Sequence, residues 1–305
     1  MPGVTEAISE LPDTLVLGAG GTLGEAWMRG LLSGLEAASG LDFRSCEYVV
    51  GTSAGSIVAA TLVAGRRLEA GDRAARAWAA EAAAGRGASL LRRVSGGGVR
   101  LTAAAASPLA PVALATLAPA GRALRAAVLA AAPRPQRRLD GVARHLDAIG
   151  AEFDGRLRIA AVDRRSGRRV MFGVPGAPEA SVRDAVLASC AVPWLFAPVE
   201  IGGREYVDGG VWSLTNLDVA PGGRSAHVLC LVPTAAGGLL RAVTSAALIA
   251  EELALRARGM RVRTLGPDAA SSAAMGANLM DASRAEEVLD AAFAQGRALA
   301  ATASA

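Results

Sequence analysis

Only 2 of the 305 residues are histidine and only 4% are aromatic, so few rings are available for bases or sugars to stack on. A nucleic-acid partner is not expected. Cysteine is almost as scarce: Cys46, Cys190 and Cys230 are odd in number, widely spaced and set among apolar residues. No C-x-x-C or Cys/His pair offers a zinc cage, and the three read as buried, reduced thiols. The opening stretch MPGVTEAISELPD lacks the basic start and apolar run of a signal peptide. A reducing cytoplasm is the expected compartment. Charge of one sign is not concentrated either. Arg66-Arg67, Arg92-Arg93, Arg134/Arg137/Arg138 and Arg164-Arg165/Arg168-Arg169 are scattered pairs within a net charge of +4. They read as solvated loop ends, with a patch on an anionic membrane surface as the alternative. Clean apolar runs of about 20 residues, as a spanning helix requires, are missing as well.

What the chain does have is a 52% hydrophobic content carried by Ala, Leu and Val, enough for one large core. A single domain over residues 1–305 is expected, with a flexible N-terminus over 1–13. Thr14 to Leu17 form a β-type run that stops at Gly18-Ala19-Gly20-Gly21, after which Leu23, Ala26, Trp27, Leu31 and Leu35 recur at helical spacing. Tyr48-Val49-Val50, the turn Gly51 to Gly55 and the helical run Ser56 to Leu62 repeat that order. Two successive strand-turn-helix units predict an α/β fold with a parallel sheet and helices on its faces. Further strands are expected at 157–163, 170–173, 205–208, 227–232 and 261–265, and helices at 142–149, 182–189 and 239–258. A last helix is expected over 278–300. Residues 95–136 are rich in Ala and Pro and nearly free of acids. They read as a helical insertion, either a lid or a surface subdomain, whose amphipathic, cationic second half (Arg122, Arg125, then Arg134, Arg137, Arg138) is a candidate for contact with a bilayer surface.

Chemistry concentrates in three places. Gly51-Thr52-Ser53-Ala54-Gly55 has the strand-turn-helix context of a nucleophile elbow, in which flanking side chains would clash and the helix N-terminus favours negative charge. The loop Gly18 to Gly24 presents backbone N–H groups at another helix N-terminus, which suits an oxyanion. Its rival reading, a dinucleotide fingerprint, needs glycine where Leu23 stands and a ribose-binding acid where Gly51-Thr52-Ser53 stand. Serine needs a base. His145 reads as part of a solvated helix face, and His227 starts a strand, at the wrong end for a site on the C-terminal edge. Asp208, at the end of a strand and followed by Gly209-Gly210, is the better candidate.

In this order, glycine loop, G-x-S-x-G serine and D-G-G aspartate, the chain resembles the patatin-like phospholipase family. The stretch from Ala188-Ser189-Cys190-Ala191-Val192-Pro193 through Gly202-Gly203-Arg204 to Asn216 is also similar. The resemblance implies a three-layer α/β/α sandwich and a serine-aspartate dyad acting on lipid acyl esters, in the manner of a phospholipase A or lysophospholipase. It makes Ser53 the nucleophile and Asp208 the base, gives the amides of Gly20, Gly21 and Thr22 the oxyanion, and implies no metal or cofactor. Where the family loop carries Arg or Lys, this chain has Leu23, which takes away a phosphate or loop-anchoring contact. Alternatives on the same fold are a non-catalytic lipid- or membrane-binding scaffold and a small-molecule esterase or thioesterase.

Overall fold

The computed structural model describes residues 8–68, 121–236 and 238–301. Residues 1–7 of the segment expected to be flexible, and 95–120 of the expected insertion, lie outside them. In chain order the elements are β1 (Thr14–Leu17), α1 (Gly21–Ser39), β2 (Tyr48–Thr52), α2 (Ala54–Val63), α3 (Gly121–Ala131), α4 (Asp140–Ile149), β3 (Leu157–Asp163), β4 (Arg169–Phe172), α5 (Val182–Ser189), β5 (Val199–Ile201), β6 (Arg204–Asp208), β7 (His227–Leu231), α6 (Gly238–Ala257), β8 (Arg261–Leu265), α7 (Ala269–Met275) and α8 (Ala285–Ala301).

Among the described residues one sheet runs β5-β6-β3-β2-β1-β7-β8, with β4 paired to β3. The five strands from β3 to β8 along that path are parallel, and the expected α/β architecture is what the chain adopts. Alternation along the strands divides the interior in two. Leu15, Leu17, Val49, Leu229 and Leu231 face the side covered by α1, α2, α4, α5 and α8. Val16, Val50, Val228 and Cys230 face Leu255 of α6 on the other side. Leu129 of α3 closes a smaller cluster on Val162, Val207 and Val211. Helices on both faces of a mostly parallel sheet make three layers.

The pairing of β3 sets up the site. Its residues 157–160 pair in parallel with β2, 161–163 pair antiparallel with β6, and 159–162 pair with β4. A strand has two edges, and the β4 pairing overlaps both of the others. Strands β2 and β6 therefore share the opposite edge of β3 and meet end to end. Thr52 pairs with Ala160 and Asp208 with the next residue, Ala161, so the C-terminal tips of the two strands abut. The hairpin that sends β6 back toward β2 turns at Gly202-Gly203, with φ of 57° and 72°, a turn that glycine makes without strain.

Several expectations need correcting. Arg125, expected on a cationic outer face, is buried, stacks 4.4 Å from the Trp212 ring and donates to Gly167 O. Arg164 is not a solvated loop end, since it is buried between Glu205 and Ala132 O. His145 is buried as well, with Nε2 3.4 Å from Thr61 Oγ1, because it shares the inner face of α4 with Val142 and Leu146. The final helix begins only at Ala285, preceded by a turn in which Asn278 and Asp281 bond nearby backbone N–H groups and so compete with helix. At the other terminus Ile8 is buried and donates its N–H to Leu299 O. No helix among the described residues is long and apolar enough to cross a membrane. The three cysteines are free and buried.

Candidate active site

Ser53 stands between β2 and α2 with φ 52° and ψ −123°, a conformation that a non-glycine residue adopts only when its surroundings impose it. The surroundings are visible. Its N–H donates to the hydroxyl of Ser189, at the end of α5, at 2.8 Å. Its carbonyl accepts from Ser56 N at 2.8 Å and from Ser56 Oγ at 2.6 Å. Gly55 lets the elbow sit against the first glycine turn, because a Cβ at that position would lie 2.1 Å from Leu17 O and 2.8 Å from Gly18 O. Sequence reasoning gave Ser189 no role; its part is set by a contact across 136 positions, which no local pattern signals.

The glycine turn is held on its outer side. Gly18 N–H bonds Leu231 O, Ala19 N–H bonds Leu214 O, and Leu23 N–H bonds Leu279 O. Leu23 has its side chain in the core, so the chain anchors this loop through backbone bonds and not through a cation. Among the described residues the N–H groups of Gly20, Gly21 and Thr22 find no acceptor. They stand at the start of a 19-residue helix, where unpaired backbone donors and the helix dipole favour negative charge.

Asp208 is 1% exposed. Its Oδ1 accepts from Gly210 N at 2.6 Å, and among the described residues its Oδ2 has no hydrogen-bond partner. Burial pushes the carboxyl up from 3.8 to about 7, against the opposing pull of the Ser53 hydroxyl and the Gly210 N–H. The Ser53 hydroxyl is thus within reach of the carboxyl and favours its charged form, although the geometry falls short of a formed hydrogen bond. The D-G-G turn also reaches the glycine loop: a Cβ on Gly210 would lie 3.6 Å from that of Ala19. Gly209 lies so close to β3 that a Cβ would meet Ala160 O at 2.4 Å. The turn containing Ser53, the strand end at Asp208 and the Gly20–Thr22 donors thus come together at the C-terminal edge of the sheet.

The histidines are elsewhere. His145 lies about two turns along α2 from Ser53. His227 is at the N-terminal end of β7, with Nδ1 3.5 Å from Glu10 and Nε2 3.2 Å from Arg261. Cys190 lies beneath the site, 3.8 Å from Ser56 Oγ, its thiol held protonated chiefly by burial and further by the Asp208 charge. Among the described residues no His, Cys, Asp and Glu cluster has the makings of a metal site.

A family model described as patatin-like phospholipase matches residues 15–221, which takes in the glycine loop, the Ser53 elbow and the Asp208 turn. Among solved structures, the chain is similar to that of VipD from Legionella pneumophila, at 14% identity and a TM-score of 0.45, with 96% of this chain and 67% of that one covered. The comparison with curated proteins found no match.

Proposed function

The chain belongs to the patatin-like phospholipase family of lipid acyl hydrolases, and on that premise we propose that it cleaves lipid acyl esters through a covalent acyl-serine at Ser53, with Asp208 as the base. The observation that supports this reading is the meeting of three features: a buried carboxylate with an open oxygen, a strained serine beside it, and three unpartnered backbone donors.

In the proposed reaction Asp208 takes the proton from Ser53 Oγ as that oxygen attacks the ester carbonyl. The negative charge that develops on the carbonyl oxygen is received by the N–H groups of Gly20, Gly21 and Thr22. Losing one such donor generally costs about 10²–10³-fold in rate. Collapse of the tetrahedral intermediate breaks the ester C–O bond, and Asp208 returns the proton to the departing alcohol. Water, deprotonated by Asp208 in turn, then attacks the acyl-serine; the fatty acid leaves and Ser53 recovers its proton. A carboxyl near neutrality suits both directions of transfer, which an ordinary aspartate at 3.8 would not.

Ser53→Ala and Asp208→Asn are each expected to abolish hydrolysis of a chromogenic fatty acyl ester while leaving the far-ultraviolet circular dichroism unchanged. A fluorophosphonate probe should label the wild type and not Ser53→Ala. Near wild-type turnover in either variant would remove that residue from the dyad, and failure of the wild type to react with the probe or the ester would favour a non-catalytic scaffold.

A further inference from the structure

One amide side chain touches both halves of the proposed dyad's framework. Asn216 is fully buried, eight residues beyond Asp208 and at φ 51°, a conformation that asparagine tolerates better than most residues. Its Nδ2 donates to Thr52 Oγ1 at 3.1 Å and to Ser213 O at 2.8 Å, and lies 3.5 Å from Gly209 O. Thr52 is the residue before Ser53, and Gly209 is the residue after Asp208. The orientation of the amide is fixed chemically. Ser213 O and Gly209 O can only accept, so nitrogen faces them; Arg169 can only donate, and its NH1 lies 3.2 Å from Oδ1.

That orientation is itself braced. Arg169 forms a two-pronged ion pair with Asp218, at 2.6 and 2.7 Å, and lies over the Trp212 ring. On the other side Ser213 Oγ accepts the Asn216 N–H at 2.9 Å. Glu251 of α6 holds the residues on either side, accepting from Thr215 Oγ1 and from Leu217 N. A buried amide with its donors and acceptor all engaged, and with its partners engaged in turn, has one available pose.

We propose that Asn216 is a positioning residue that fixes the spacing between Ser53 and Asp208 by tying the C-terminal tip of β2 to the D-G-G turn. The inference rests on the reading of Ser53 and Asp208 as a dyad. Strands β2 and β6 abut end to end with no ladder between them; β3 pins the tips at Ala160 and Ala161, but the backbone just beyond them, at Ser53 and Gly209, has no strand partner. The Asn216 amide bridges that junction. A displacement of about 1 Å between reacting groups costs on the order of 10²-fold in rate, so the bridge governs turnover more than substrate binding.

The test is a mutant cycle with the chromogenic ester, run beside Ser53→Ala. Asn216→Ala is expected to lower kcat about 10–100-fold with KM changed less than about threefold. Thr52→Val keeps the side-chain shape and removes the acceptor of the Asn216 amide, together with the longer bond from Thr52 Oγ1 to Thr215 O at 3.5 Å, and it should lower kcat about tenfold by the same loss of alignment. The double variant should turn over no more slowly than Asn216→Ala alone, because both changes cut one link. Values of kcat near wild type in the single variants, a loss confined to KM, or losses that multiply in the double variant would each overturn the proposal. Should Asn216→Ala fail to fold, Thr52→Val decides alone: an undiminished kcat overturns the proposal and a lowered one sustains it. Retention of activity by Ser53→Ala would instead remove the dyad reading on which the inference stands.

Discussion

At the level of single residues, the site is governed by what burial does to one carboxyl. Asp208 lies away from water, and burial disfavours its charged form more than the Ser53 hydroxyl and the Gly210 N–H favour it, so its pKa stands at about 7. The proposed base must be ionised to accept the serine proton. Ester hydrolysis should therefore rise with pH along a single limb and level off above about 7. The check is kcat/KM for a non-ionising ester between pH 5 and 9. An acid limb centred near 4, the range of an ordinary aspartate, would mean that the carboxyl in use is not this one. Ser53 and Asp208 were legible in the sequence because each is flanked by glycines that its backbone turn requires. Ser189 and Asn216 stood in the sequence only as part of a stretch similar to the family, without a role, because their importance lies in bonds to Ser53 N–H and Thr52 Oγ1 across more than a hundred positions. His145 misled for a related reason: its neighbours Arg144 and Asp147 are polar, but at helical spacing it aligns with Val142 and Leu146 on the buried side.

At the level of elements, close approach decides where a helix start or a helix pair can sit. Gly55 at the start of α2 and Gly34 in α1 are both too close to backbone for a side chain: a Cβ would lie 2.1 Å from Leu17 O in the first case and 2.2 Å from Phe293 O of α8 in the second. Alanine at either position forces apart two packed elements, at a cost of about 1–3 kcal/mol. The consequences for function differ. Gly55→Ala pushes the Ser53 elbow away from the glycine turn and should reduce kcat at least tenfold in protein that remains folded. Gly34→Ala acts at the α1–α8 contact, away from the elbow, and should lower the melting temperature with kcat per folded molecule preserved. Thermal denaturation with active-site titration separates the two; equal effects on kcat would show that packing at a distance controls the site. The elements themselves were largely readable, since parallel strands buried on both faces give continuous apolar runs such as Leu15 to Leu17 and Val228 to Leu231. Strand β5 was not, because three residues between Pro198 and Gly202 are too few to show a period.

For the whole molecule, activity and stability draw on Asp208 in opposite directions. The native state holds the Asp208 proton up to about 7, whereas an unfolded chain releases it near 3.8. Between those values the folded protein binds more protons than the unfolded one, so this group's contribution to stability is complete below 3.8 and is lost as pH rises through about 7. The difference corresponds to on the order of 4 kcal/mol as an upper bound, a sizeable part of the stability of an ordinary domain. Asparagine has the same shape, can still accept from Gly210 N–H and carries no charge to bury. The melting temperature of Asp208→Asn relative to wild type should therefore increase from pH 4 to about 7 and level off above that, as hydrolysis by the wild type does. Taking the difference between the two proteins cancels every other titrating group, so the slope isolates this carboxyl. A difference that stays constant across that range would mean that Asp208 titrates alike in the folded and unfolded chains. The burial argument would then fail for the molecule as a whole, and with it the expectation that the proposed base works near neutrality.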